Sequence, residues 1–229
     1  WDAVIDLIPF KSEHVIQTSL LFGKKTKVIV FLSSYLADRN FITNLNSKLF
    51  GYTVFSKHLF PYIFGKLDVE KEVFNSNLKR KTILIRPSHV LGSGATIGCM
   101  PMHNRQEIQD IAVKEGELYL DLYNAGEVTR SYISSVDLAS GIVNVIQEKG
   151  FYGKIVSAKN PSLYSGKHYY QQVAKSLNLE LKIANRKLPW IARNLGEDKY
   201  GWLATIIDEQ LHGDEDCQVP LNSIQLTLP

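Results

Sequence analysis

Three short runs with almost no charge set the terms for this fold. They are Ala3-Val-Ile-Asp-Leu-Ile8, Val28-Ile-Val-Phe-Leu32 and Thr82-Ile-Leu-Ile-Arg86. Each is too short for a buried helix and lacks the polar alternation of a half-solvated strand, so each reads as a strand covered on both faces. The first two are separated by a helix-like segment. Ser12 is a candidate N-cap, Val15, Ile16, Leu20 and Leu21 recur at near-helical spacing, and Gly23 closes the segment. Strand, helix and strand within some thirty residues make a βαβ unit, which requires a parallel sheet.

The remaining elements follow from punctuation. Residues 35–61 carry no firm period and read as a long loop. Pro61 opens a helix over 62–77, and the basic run Lys79-Arg80-Lys81 reads as a solvated cap at its end. Further along, a helix is expected over 105–115, a strand over 118–122, a turn at Gly126, a helix over 138–148, a strand over 152–158 and a helix over 167–177. Asp137 reads as a helix N-terminal residue. The last fifty residues are mixed, and the five carboxylates within 208–216 read as a solvated face.

Composition excludes several classes. A formal net charge of +3 is too small to argue for a nucleic-acid or anionic-membrane surface, and 45% hydrophobic with 21% charged residues is ordinary for a globular chain. No apolar run approaches the ~20 residues of a membrane span. With Cys99 and Cys217 the only cysteines, no disulfide framework or zinc site is indicated, and the six histidines lack ligand spacing, so no metal is assigned. A reducing, cytoplasmic setting is the expectation, with an organelle left open.

Residues that could carry chemistry gather in Tyr62-Ile-Phe-Gly-Lys66. On a helix, Tyr62 and Lys66 lie on one face a turn apart. An ammonium beside a phenol favours the phenolate, so the Tyr62 pKa is expected to fall from its usual ~10. Such a tyrosine can give or take the proton of a substrate hydroxyl. The same pair also fits an amphipathic helix with a surface lysine.

Taken in order, the segments resemble the extended short-chain dehydrogenase/reductase family, the NAD-dependent epimerases and dehydratases. Trp1 to Leu7 (WDAVIDL) resembles its fourth strand, and Val28 to Ser34 (VIVFLSS) its fifth. Tyr62 to Lys66 matches its YxxxK motif, and Leu67-Asp-Val-Glu70 continues in the family's manner. Ile85 to Gly92 (IRPSHVLG) resembles the sixth strand with its loop, and Arg130 to Ala139 (RSYISSVDLA) the segment entering the substrate lobe. The resemblance spans roughly residues 1–180. It implies a Rossmann-like doubly wound parallel sheet, partial because its first strands are absent, with a smaller C-terminal substrate lobe. The expected division is 1–95 for the dinucleotide-binding part and 96–229 for the remaining sheet elements and lobe.

Roles carry over by position. Tyr62 would be the acid/base, and Lys66 would hold the tyrosinate and the cofactor ribose. Ser34 would bond the reacting oxygen, with Ser33 as the substrate-side alternative should the register differ by one. Leu7, Ile8, Pro87 and His89 would lie against an NAD or NADP cofactor, and Arg130 would meet a substrate diphosphate. The implied substrate is a nucleotide-linked sugar or similar polyol, with a homodimer as a family expectation and no membrane partner. Residues 1–10 are also similar to an atypical branch containing plastid RNA-binding proteins. The alternative reading is therefore a non-redox RNA-binding or protein-interaction module.

The sequence departs from the family in four places. It contains no glycine-rich GxxGxxG motif, it lacks the acidic residue that ends the family's second strand, it places Ile8-Pro9-Phe10 where small residues usually follow the fourth strand, and it has Ser134 where a histidine is common. The strand over 3–8 would then be an unpaired edge, and about three further strands from elsewhere are expected to complete the sheet.

Overall fold

The computed structural model describes residues 1–37, 59–92, 116–127, 129–186 and 224–225. The expected helix over 105–115, most of the expected loop over 35–61, the acidic stretch over 208–216 and both cysteines lie outside these residues.

A five-stranded parallel sheet runs β1 (Ala3–Asp6), β2 (Val28–Leu32), β3 (Thr82–Pro87), β7 (Ile155–Ala158) and β10 (Ile224–Gln225), in that order across the sheet. The register sets Ala3 beside Val28 and Ile29 beside Thr82, and Leu84 lies beside Ile155. The chain thus returns to the main sheet after an excursion of some seventy residues. That excursion carries β4 (His89–Leu91), β5 (Glu117–Tyr123), β6 (Thr129–Ser134) and the helix α3 (Ser135–Gln147).

Both faces of the sheet are covered, which is why β2 reads as an unbroken apolar run. On one face α1 (Ser12–Phe22) and α2 (Leu59–Asn75) bring Val15, Val69 and Val73 onto Ile29, Phe31 and Leu84. On the other, α3 sets Leu138, Ile142 and Val145 against Val28, Val30, Ile83, Ile85 and Val156. Each such side chain contributes about 1.5–3 kcal/mol on burial. A second layer pairs β5 with β9 (Glu180–Arg186) in parallel, and α4 (Gly166–Ser176) lays Tyr170 and Ala174 on Leu118, Leu120 and Leu122. The short strand β8 (Leu163–Ser165) runs antiparallel to β6, whose other neighbour is β4.

Several local expectations need correction. Lys11, not Ser12, is the N-cap of α1, and it makes no side-chain cap bond. Helix α2 begins at Leu59, so Pro61 sits within its first turn, where a missing N–H breaks no helical bond. The run Lys79–Lys81 is a 3-10 turn, and Lys81 is not simply solvated: its ammonium donates to the carbonyls of Gly23 and Thr26. Asp137 does lie in the first turn of α3, where its N–H donates to the Ser134 hydroxyl.

Strand β1 is an edge among the described strands, hydrogen-bonded to β2 alone. Beyond it Leu7 and Ile8 are exposed, as are Leu20 and Leu21 on α1. Among the described residues no helix is long and apolar enough to cross a membrane.

Candidate active site at the strand ends

The carboxyl ends of β1, β2 and β3 meet the N-terminal half of α2, and among the described residues this junction gathers four of the seven buried polar side chains. Ser33, Ser34, Lys66 and Glu70 are all buried here. Two sequence facts bring them together. Strand β2 ends in two serines, and α2 repeats its inward face every four residues through Tyr62, Lys66 and Glu70.

Lys66 is the hinge of the arrangement. Only 3% of its surface is exposed, and its ammonium donates to the carbonyls of Pro9 at 3.0 Å and Leu32 at 2.9 Å. It therefore ties the end of β1 to the end of β2. The Phe10 ring stands 4.7 Å from Nζ and the Tyr62 ring 5.9 Å. A desolvated cation over an aromatic face is worth about 2 kcal/mol. Burial pulls the Lys66 pKa down to about 8, against the opposing fields of Asp6 and Glu70.

This close approach requires the glycine at position 65. A Cβ there would fall 2.3 Å from the Phe10 carbonyl oxygen, so any larger residue pushes the Pro9–Phe10 backbone off the helix. Two further bonds hold that segment. The Ile8 N–H donates to Asp6 Oδ1 at 3.1 Å, and the Phe10 N–H donates to His14 Nδ1 at 3.1 Å.

Tyr62 stands at the rim with 37% of its surface exposed. The sequence-based expectation of a lowered pKa is overturned here: burial pushes the phenol above its usual value, and the hydrogen bond with Ser34 only partly offsets this. The reason is geometric. The Lys66 ammonium points at two carbonyls rather than at the phenol oxygen, so desolvation is the larger effect.

The two serines divide their work. Ser34 is the one beside Tyr62, and its Oγ also accepts from the Leu36 N–H at 3.2 Å, opening the 3-10 turn Tyr35–Ala37. The Ser33 hydroxyl points inward and donates to Glu70 Oε1 at 2.6 Å. Glu70 in turn receives the Arg86 guanidinium, with Nε on Oε1 at 2.9 Å and Nη2 on Oε2 at 2.7 Å. Arg86 Nη2 also donates to the Ala37 carbonyl at 2.9 Å. The buried pair thus pins both ends of the turn that presents Ser34.

Pro87 closes β3 and pairs with Ala158, while His89 on β4 meets the Tyr35 hydroxyl at 3.2 Å. Both lie at the strand ends beside the serine turn. Leu7 and Ile8 lie at the exposed end of β1. Arg130 is on β6, opposite Tyr164 of β8, and is not among the side chains described. Sequence reasoning did not single out Phe10, Gly65 or the Glu70–Arg86 pair as site residues. The four-residue step from Lys66 to Glu70 was the available signal for the last.

The implied nicotinamide cofactor can be tested against this donor set. An ammonium has three N–H donors, and the two carbonyls take two of them. The residues fit the ribose end of such a group through the one that remains, next to the Phe10 ring.

No family model and no curated protein matches the chain. Solved structures do. A nucleoside-diphosphate-sugar epimerase from Staphylococcus aureus aligns with a TM-score of 0.57 at 15% identity, over 93% of this chain and 69% of that one. An ADP-L-glycero-D-manno-heptose-6-epimerase from Helicobacter pylori aligns at 0.54 and 14%, over 93% and 73%. A short-chain dehydrogenase/reductase superfamily protein from Agrobacterium tumefaciens, with bound NAD, aligns at 0.53 and 14%, over 91% and 79%. The chain therefore spans about 69–79% of the length of these three structures. At such identities the likeness is one of fold: a Rossmann-like α/β architecture built on a parallel sheet.

Proposed function

We propose that this chain carries the proton-transfer centre of a nicotinamide-dependent epimerase, dehydratase or reductase acting on a hydroxyl of a nucleotide-linked sugar or related polyol. The observation that supports this reading is the meeting of Ser34, Tyr62 and Lys66 at the carboxyl ends of parallel strands, where open α/β sheets present groups to ligands.

The roles follow from the geometry. With its pKa raised by burial, Tyr62 is a neutral phenol at neutral pH and serves first as a proton donor to a substrate oxygen. Ser34, whose hydroxyl lies beside Tyr62, would hold that same oxygen and fix its distance. Lys66, with its ammonium 5.9 Å from the centre of the Tyr62 ring, anchors the Leu32–Ser34 turn through the Leu32 carbonyl. The Glu70–Arg86 pair keeps Ser33 turned inward, leaving Ser34 as the serine that faces the substrate. A bound nicotinamide would supply or accept the hydride. Arg130, on the neighbouring β6, is assigned the substrate diphosphate, which a guanidinium can grip with two parallel bonds.

The test is the purified protein with NADH or NADPH and a panel of nucleoside-diphosphate sugars, followed at the nicotinamide absorbance and by product chromatography. Tyr62→Phe keeps the ring and removes the titrating oxygen. Turnover should fall by a factor of about 100 or more, with dinucleotide affinity nearly unchanged. Equal turnover in the two proteins would remove Tyr62 from the chemistry.

A further inference from the structure

We infer that Phe10 sets access to Lys66: its ring, 4.7 Å from the ammonium, covers the one donor of that amine not already bound to a carbonyl, and a ligand hydroxyl reaches Lys66 only when the ring turns aside. The ligand class is a vicinal diol, such as a ribose. That part of the inference rests on the reading of the site given above.

The geometry separates the ring from its backbone. The main chain of residues 8–10 is pinned at three points. Pro9 O accepts from Lys66, the Phe10 N–H donates to His14, and Phe10 O lies against Gly65 of the helix. The ring has no such restraint. Phe10 is 47% exposed, and among the described residues its ring neighbour is Tyr62, at 6.1 Å between centroids and tilted by 53°. Opening the site is therefore a side-chain rotation on a fixed backbone rather than a loop movement. Lys66 itself is 3% exposed, and among the described residues it lies beneath these two rings. A residue smaller than Phe at position 10 would leave every main-chain pin intact and uncover the amine.

The experiment reads the amine directly. Wild-type, Phe10→Ala and Phe10→Trp proteins are treated with a limiting amine-acetylating reagent near pH 8. Modification of Lys66 is measured by peptide mass spectrometry against Lys71, an exposed lysine on the same helix. Phe10→Ala should raise the Lys66:Lys71 ratio at least tenfold, while Phe10→Trp, which keeps a ring over the amine, should leave it at the wild-type level. An unchanged ratio in Phe10→Ala overturns the inference. So does an equal rise in both variants, because general loosening would then explain it. Parallel titration with NADPH separates the inference from the functional reading. Tighter binding by Phe10→Ala than by wild type supports both. A raised labelling ratio with no dinucleotide binding by either protein upholds the role of Phe10 and sinks the nicotinamide assignment.

Discussion

Removing the charge at Lys66 should change how stability depends on pH, and the sign can be worked from the structure. The Lys66 pKa falls from 10.5 to about 8 on folding, because burial disfavours the ammonium more than Asp6 and Glu70 favour it. Between those values the unfolded chain binds more protons than the folded one, so stability rises with pH across that window. Put the other way, this contribution is present above the unfolded pKa and is lost as pH falls through about 8. Between about pH 7 and about pH 9.5 the gain is at most about 2 kcal/mol, and about 1 kcal/mol once solvent screening at the open side of the site is allowed for. Lys66→Met removes the titration. It also leaves the Pro9 and Leu32 carbonyls without their donor, a loss of about 1–3 kcal/mol each. That second loss changes little with pH, so the two effects separate. Tyr62, Lys27 and Lys182 all have raised pKa values and act at higher pH, outside the window. The assay is denaturant unfolding of both proteins at the two pH values. The wild-type advantage should grow by about 1–2 kcal/mol at the higher pH. An advantage that stays flat or shrinks would mean that Lys66 is not a desolvated cation, and the account of the raised Tyr62 pKa would fail with it.

Two further substitutions probe the same junction. Gly65→Ala should destabilise the protein by about 1–3 kcal/mol, read as a fall in denaturation midpoint, because the new Cβ meets the Phe10 carbonyl oxygen at 2.3 Å. Helix propensity alone predicts the opposite, a gain of about 1 kcal/mol, so a stabilised variant would refute the close approach. Arg86→Met should cost about 3–5 kcal/mol, since it strands the Glu70 carboxylate, with the Glu70→Leu/Arg86→Met double variant recovering much of the loss in the same assay. Should the single and double variants lose the same amount, the pair is not coupled.

How much of this could be read from the sequence depends on how local each cause is. Strands β2 and β3 were legible because burial on both faces leaves a continuous apolar run, and their sequence bounds agree with the structure to within a residue. The Tyr62–Lys66 pair was legible because its spacing is a property of one helix. Strands β4 and β8 were not, since three residues are too few to show a period, and β9 was lost in a stretch that reads as mixed. The Glu70–Arg86 bond joins a helix to a strand sixteen residues on, a contact that only the packed sheet creates. The direction of the Tyr62 shift failed for a related reason. Sequence spacing fixes which residues share a face, but not where an ammonium on a four-carbon stem will point.

That freedom of the lysine stem explains how the two buried cations of the site come to differ. Arg86 offers a planar fork, and α2 presents a carboxylate that fills it, so charge is met with charge and the pair sits deep in the fold. Lys66 offers a compact ammonium held directly by carbonyl dipoles and aromatic faces, and the more distant Asp6 and Glu70 compensate its charge less fully. The first arrangement is rigid and suits a support. The second leaves a proton loosely held on an amine whose pKa is about 8, one helical turn from a phenol whose pKa burial has raised. Desolvation has drawn the two groups apart on the pH scale: the amine, ordinarily near 10.5, falls to about 8, while the phenol, ordinarily near 10, rises. The amine therefore gives up its proton before the phenol does, and Tyr62 stays a neutral proton donor whichever state Lys66 is in. The contrast with Arg86 supports the proposed division, in which Lys66 and Tyr62 carry the titrating groups and Glu70 and Arg86 the support.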